Sequence, residues 1–598
     1  MVFITAGLRF RLFGSLFGSV CGSVCLAGLL PLAFAAPAPA AERVTLTYGL
    51  AEISTSVAAL KDYAESGEVN EELAPYLRFL NEAQRSQFRA ALQVRQDVSP
   101  VEISQFLYSS IGDNILRSLG DIVRTQSRRN GAKGLRGALV LAAAEPGGLS
   151  IIGVLEQFPT DNVRIDSQRV FQAINGFSGL IGETRQAIAA IEQQASTIEL
   201  GETSANLPDL AAAGPYPTNV QTFTVVDELR NRTLELDLYL PQSSPQSSPE
   251  APALSPAPLV IASHGLAGDR EGFDVIGEHL ASHGFAVAAL DHPESDRAQF
   301  TALLAGRANE IAEPTEFTER PRDISYLIDE LTRLNMPGQP FANRLDTDRI
   351  GVIGHSFGGY TALAVAGAQL NFDTLAANCD STAFIFNAAN TSMLLQCTAL
   401  AAPEQFSADL RDERVQAVMA MNPIASSLFG PEGFAQIEVP SLSVAGSADP
   451  IAPALLEQIR PFVWLNEAKP TASDLAGSEH YLALIEGGSH LYELPELENA
   501  DISFANSFAS PDIPLTNSYL RALSLGFMQT TIAQNDAYRD ALTGSSIVRV
   551  GQQALPLYVI NTLTEAMLQP LPEAVEEPVP LPIEEPENLP AETERSAN

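Results

Sequence analysis

One stretch constrains the fold more than any other: Gly354-His355-Ser356-Phe357-Gly358, running on into Gly359-Tyr360. Before it, Asp348-Arg349-Ile350-Gly351-Val352-Ile353-Gly354 reads as a short apolar strand. After it, residues 360–366 are small and apolar, as a helix packed on a sheet requires. A serine between glycines at a strand-to-helix junction is the G-x-S-x-G pattern, a sharp turn that lifts the hydroxyl clear of the backbone. The glycines leave the room that such a turn needs. The surroundings agree. Residues 220–226 and 232–240 alternate as antiparallel strands, 258–263 and 285–290 read as buried strands, and 271–283 and 322–334 read as helices. Strands alternating with helices predict an α/β fold: a doubly wound, mostly parallel sheet covered on both faces.

In an elbow of this kind the partners follow the serine in the order serine, acid, histidine. Of seven histidines, only His480 and His490 lie beyond Ser356. His480 precedes the apolar run 481–485, whereas His490 follows it in Glu486-Gly487-Gly488-Ser489-His490. Reactive groups on a parallel sheet sit outside the carboxyl ends of its strands, so His490 is the expected base and His480 a bystander. The acid is expected in the turn after the strand 439–446, at Asp449; Asp474 and Asp501 lie in polar stretches and read as solvated charges. The position after the preceding strand, 415–421, holds Asn422, whose neutral amide cannot compensate an imidazolium. An oxyanion hole would use the backbone N–H of Phe357 and that of Leu266, in the loop His264-Gly265-Leu266-Ala267-Gly268 after strand 258–263. His264 is read as shaping that loop.

At 598 residues the chain implies more than one domain. Arg9 and Arg11 precede a long apolar stretch, 12–34, closed by Ala33-Phe34-Ala35, so residues 1–35 read as a cleaved export signal, with an N-terminal membrane anchor as the alternative. Cys21 and Cys25 leave with that signal; Cys379 and Cys397 remain as a plausible disulfide of a periplasmic or extracellular protein. No metal-ligating constellation is visible, and no cofactor is expected. The net charge of −37 argues against nucleic acid and anionic membrane surfaces as partners.

Residues 42–200 read as a small all-α domain. Ser99-Pro100-Val101-Glu102 is a helix start, with serine as cap, proline at the first helical position and glutamate at the third. Ile103, Leu107, Ile111, Ile115 and Leu119 then form one stripe of an expected single amphipathic helix. A second, more buried helix is expected over 135–144. Residues 201–219 read as a linker and 220–545 as the α/β domain. Its insertion 370–412, with Phe384-Ile385-Phe386, is either a lid or a plain surface insertion. The tail 568–598, with seven prolines, eight acids and one basic residue beyond Met567, is expected to be disordered.

Three segments carry a family resemblance: Ser263-His264-Gly265-Leu266, Leu280-Ala281-Ser282-His283-Gly284-Phe285-Ala286-Val287-Ala288-Ala289, and Gly354-His355-Ser356-Phe357-Gly358-Gly359. Residues 260–364 resemble the platelet-activating-factor acetylhydrolase branch of the α/β-hydrolases. Residues 42 to about 166 resemble the N-terminal domain of unknown function found on exported, chiefly cyanobacterial, α/β-hydrolases. The resemblance implies a serine hydrolase acting on small-molecule or lipid carboxylic esters through Ser356 and an acyl-enzyme. A thioesterase, lactonase or amidase with the same residues, or a catalytically silent envelope binding protein, are the alternatives. One departure stands out. The acetylhydrolase branch carries its acid where this chain has Asn422, while Asp449 is the position that dienelactone hydrolases use.

Overall fold

In the computed structural model, the described residues are 40–49, 51–78, 80–197, 209–242, 256–380, 390–468, 479–492, 508–542 and 554–569. The expected signal 1–35, nearly all of the tail, Asp474, Asp501 and Phe384-Ile385-Phe386 lie outside them.

A nine-stranded sheet organises the chain. Its strands are β5 (Thr218–Asp227), β6 (Arg232–Pro241), β7 (Ala257–Ser263), β8 (Ala286–Leu290), β9 (Leu345–His355), β10 (Val415–Met421), β11 (Ser441–Gly446), β12 (His480–Ile485) and β13 (Leu557–Ile560). The order across the sheet is β13-β12-β11-β10-β9-β7-β8-β6-β5. The strands from β8 to β12 run parallel, and antiparallel strands close both edges. This is the expected doubly wound α/β sheet. Its last strand, β13, lies beyond residue 545, where the sequence pattern ends the layer.

Successive side chains on a strand point to opposite faces, and here both faces are covered. On β7, Leu259 and Ile261 enter one core while Val260 and Ala262 enter the other. On β9, Ile350 and Val352 share the first core and Ile353 the second. Burial on both sides explains why these strands read as continuous apolar runs. Each fully buried Leu or Ile contributes about 1.5–3 kcal/mol.

The N-terminal region departs from the all-α expectation. Besides its helices it holds a four-stranded sheet, β1 (Arg43–Tyr48), β2 (Ala51–Ser56), β3 (Val123–Arg124) and β4 (Asn162–Asp166), in the order β2-β1-β4-β3. β3 is two residues long, too short for any periodicity, and β1 pairs in parallel with β4 from far along the chain. Local sequence patterns carry no trace of such a pairing. The expected single helix from Pro100 is also two, Pro100–Tyr108 and Ser110–Ile122. Ser99 caps the first as expected, accepting from the N–H groups of Val101 and Glu102. Ser109 breaks the stripe: it takes an extended conformation (ψ 161°) and its hydroxyl accepts from Gly112 N–H, capping the second helix. Leu119 is consequently 44% exposed while Leu116 is fully buried.

The long helix Ser167–Ser196 belongs with the large sheet at its C-terminal end. Ala187 and Ile191 are buried against Phe462, Leu482 and Leu484. The insertion 370–412, where described, is likewise packed. Met393, Leu395 and Ala399 join the main core, and Cys379 is bonded to Cys397. Ile111 of the N-terminal region packs against that same core.

A carboxylate ties the two regions. Glu310 accepts from Ser110 N–H at 2.8 Å and Ser110 Oγ at 2.7 Å, placing a negative charge at the N-terminus of helix Ser110–Ile122. Glu310→Ala is expected to lower stability by about 1–2 kcal/mol. Faster amide exchange over residues 110–122, with the large sheet unchanged, is the corresponding signature, measurable by hydrogen-exchange mass spectrometry.

Candidate active site

Ser356 sits between the end of β9 and helix Phe357–Val365 with φ 55° and ψ −113°, a backbone conformation that L-residues rarely adopt. The neighbouring glycines are required by space. A Cβ on Gly354 would lie 1.9 Å from the carbonyl oxygen of Gly358, and one on Gly358 would lie 1.9 Å from that of Ser263. Ser356 N–H donates to Met421 O at 2.8 Å, securing the turn to β10.

Three loops at the carboxyl ends of parallel strands converge on this serine. His490 follows β12, and its Nε2 lies 3.0 Å from Ser356 Oγ. Asp449 follows β11, and its Oδ2 lies 2.7 Å from His490 Nδ1. Its Oδ1 accepts from the N–H groups of Ile451 at 2.7 Å and Ala452 at 2.9 Å, which hold the carboxylate in place. All three side chains are buried. His355 braces His490: its Nε2 lies 2.9 Å from the carbonyl oxygen of His490, and burial pushes its pKa down to about 3, so it donates as a neutral ring. His480 is buried on β12 instead, 2.9 Å from Ser441 Oγ, and is not part of this cluster.

The loop after β7 closes over the elbow. A Cβ on Gly265 would lie 3.2 Å from Ser356 Cβ, a tight contact that glycine relieves, and Leu266 follows directly. Ala267, at φ 57°, donates its N–H to Ser295 O at 2.9 Å. His264 accepts from His292 N–H through Nε2 at 2.9 Å and directs Nδ1 at Gly265 O, 2.6 Å away. Burial first, then the Arg320 charge, holds its pKa well below the ordinary value, so it stays neutral and shapes the loop.

Arg320 escaped the sequence reading. It lies on helix Glu316–Leu334 and is fully buried, yet it touches both expected oxyanion donors' neighbourhoods. Its guanidinium donates to His264 O at 2.7 Å and Gly265 O at 3.4 Å, and stands 4.2 Å over the ring of Phe357. Burial pulls its pKa down to about 10, which leaves it charged at neutral pH. Arg320, just before Pro321 inside the helix, gave no local signal, because only the fold brings the His264 loop against it.

A second Ser-His-Asp relay lies behind the loop. Ser263 Oγ is 2.9 Å from His292 Nε2, and His292 Nδ1 is 3.0 Å from Asp323 Oδ2. All three are fully buried, and Arg232 holds both oxygens of Asp323 at 2.9 and 2.8 Å. No substrate reaches Ser263, so this relay supports the loop. A sound geometry without access does no chemistry. In the described residues no cluster of His, Cys, Asp and Glu suits a metal ion.

Arg320→Met would leave the His264 and Gly265 carbonyls without their buried cation, while Glu316 keeps Arg232. The expected cost is about 3–5 kcal/mol, readable as a lower midpoint in chemical denaturation. A variant as stable as the wild type would show that the guanidinium is not needed to hold the loop.

Comparison with known proteins agrees with this architecture. Residues 259–502 match a family described as "Alpha/beta hydrolase family", and residues 40–166 one described as "Alpha/beta hydrolase of unknown function". Platelet-activating factor acetylhydrolase from Cavia porcellus is 32% identical over a segment covering 19% of this chain and 33% of the relative. The proteins of that name from Canis lupus familiaris and Bos taurus are 29% and 28% identical with the same coverage. The match therefore spans about a third of the length of these curated relatives. With its parallel sheet and its serine elbow, the region 259–502 matches the α/β-hydrolase family, and part of the chain is similar to platelet-activating factor acetylhydrolases.

Proposed function

We infer that the chain is an exported serine hydrolase that cleaves carboxylic esters. The observation that carries this reading is the continuous contact from Ser356 Oγ through His490 to Asp449, at 3.0 and 2.7 Å, on an elbow whose serine holds a φ of 55°. His490 Nε2 takes the hydroxyl proton as Ser356 attacks the ester carbonyl, and Asp449 stabilises the imidazolium. The backbone N–H groups of Phe357 and Leu266 receive the oxyanion. His490 then returns the proton to the departing alcohol, leaving an acyl-enzyme on Ser356. Water, deprotonated by the same histidine, releases the acid.

The relatives' name places the acetyl ester of platelet-activating factor among the substrates to try. Export is supported by the apolar residues 12–34 behind Arg9 and Arg11, and by the Cys379–Cys397 disulfide, a bond of oxidising compartments. In the described residues no helix is long and apolar enough to cross a membrane. The organisation that goes with this reading is a signal over 1–35, an N-terminal domain, a linker, a hydrolase domain from about residue 220 and a Pro- and Glu-rich tail.

The test is hydrolysis of p-nitrophenyl esters from acetate to palmitate, and of a short-acyl phospholipid, by the mature protein beside Ser356→Ala. The wild type should turn over at least one ester, and Ser356→Ala should lose about three powers of ten or more in kcat. Fluorophosphonate should label the wild type only. A wild type that neither hydrolyses nor becomes labelled would leave the chain as a silent scaffold.

A further inference from the structure

Asn422 has every hydrogen-bonding position of its side chain filled, and its partners lie on the segments that carry Asp449 and His490. Its Nδ2 donates to Asp449 Oδ2 at 2.6 Å and to Ser489 O at 3.0 Å. Its Oδ1 accepts from Gly446 N–H at 3.1 Å and from the Tyr492 hydroxyl. With two acceptors on one side and a backbone donor on the other, the amide fits in a single orientation. Asn422 is fully buried directly after β10, at φ 42°, a conformation that asparagine tolerates better than most residues. Size alone does not account for the choice. Aspartate has the same shape, but it would set a second carboxylate oxygen against Asp449 Oδ2, and two carboxylates so close cannot both ionise freely.

We propose that Asn422 is a positioning residue for the His490–Asp449 pair: a neutral double donor that holds Asp449 Oδ2 in line with His490 Nδ1 and ties down Ser489, the residue before His490. This rests on the roles given above to Ser356, His490 and Asp449. The effect is electrostatic as well as geometric. Asp449 Oδ2 shares its negative charge between the amide and the imidazole, which moderates its pull on the imidazolium. Losing that donor, or replacing it with a second negative charge, makes His490 hold its proton more tightly. Among the described residues, His490 is faced by Ser356, Asp449 and His355, with the Tyr492 ring tilted against that of His355 at 5.4 Å. His355 stays neutral, and burial raises the Tyr492 hydroxyl well above its ordinary value, so it stays neutral too. Asp449 is thus the charged side chain that meets His490, and Asn422 is the neutral donor on the same Oδ2.

The experiment follows the His490 imidazole by NMR titration in the full chain, with labelled histidine, for the wild type, Asn422→Asp and the double variant Asn422→Asp/Asp449→Asn. Steady-state kinetics are run alongside. In Asn422→Asp the His490 pKa should rise by about one unit or more, and the acid limb of kcat/KM should move to higher pH with it. kcat should fall about tenfold or more, with KM held within about threefold. The double variant restores one amide and one carboxylate at the contact, and should recover the thermal stability that the single variant loses. An Asn422→Asp protein with unchanged His490 titration and unchanged kcat would overturn the proposal. So would a double variant no more stable than the single one, which keeps the test decisive if the single variant does not fold. NMR reads His490 without any turnover. A wild type that hydrolyses no ester would therefore count against the hydrolase reading and leave this one still decidable.

Discussion

The site depends on backbone packed against backbone. At Ser356 the chain turns through a positive φ. The two flanking glycines of the elbow lie where any Cβ would strike a neighbouring carbonyl oxygen, and Gly265 closes over the serine from the other side. These approaches bring three separate stretches, the loop after β7, the end of β9 and the start of helix Phe357–Val365, closer together than side chains could. Strand order does the rest. Because β9 lies between β7 and β10, with β11 and β12 following, the loops bearing Leu266, Asp449 and His490 all open at the same end of the sheet as the elbow.

Behind this backbone lies buried charge. Arg320, Glu316, Arg232 and Asp323 are almost wholly removed from water, and such groups are tolerated only when each finds its partners. They form a rigid floor under the His264 loop. The Ser263–His292–Asp323 relay in that floor matches the Ser356 cluster in its residue types and nearly in its distances. What separates them is setting. Asp323 is saturated by arginines and Ser263 is fully buried on β7, whereas Asp449 is met by neutral donors and Ser356 sits at the strand-to-helix turn with 6% exposure.

The sheet was legible in the sequence because its strands are buried on both faces and its helices intervene at regular spacing, so period and composition agree over long stretches. His490 and Asp449 could be named because chain order and strand ends leave few candidates. Elsewhere local pattern misled. Ile103 to Leu119 keeps helical spacing, yet Ser109 ends one helix and caps the next, since a hydroxyl bonded to Gly112 N–H offsets the break. The small N-terminal sheet was invisible because β3 is two residues long and β1 pairs with β4 across a long stretch of intervening helices. The insertion after the elbow helix likewise left lid and surface loop equally open. Its described part is anchored by Glu457, which accepts from Asn390, Ser392, Gln396 and Ser426 side chains drawn from two distant segments.

By itself the sequence determined the fold class, the serine turn and the chain order of the residues proposed around it, because each follows from short-range spacing and from the steric needs of glycine. Only the tertiary structure decided which side chains support them. Arg320 under the His264 loop, His355 against His490 and Asn422 between Asp449 and Ser489 lie on different segments of the chain. No spacing rule links them. Their roles exist only once the parallel strands have brought their carboxyl ends to one edge, where a hydrogen bond over 2.6 Å joins residues 27 positions apart.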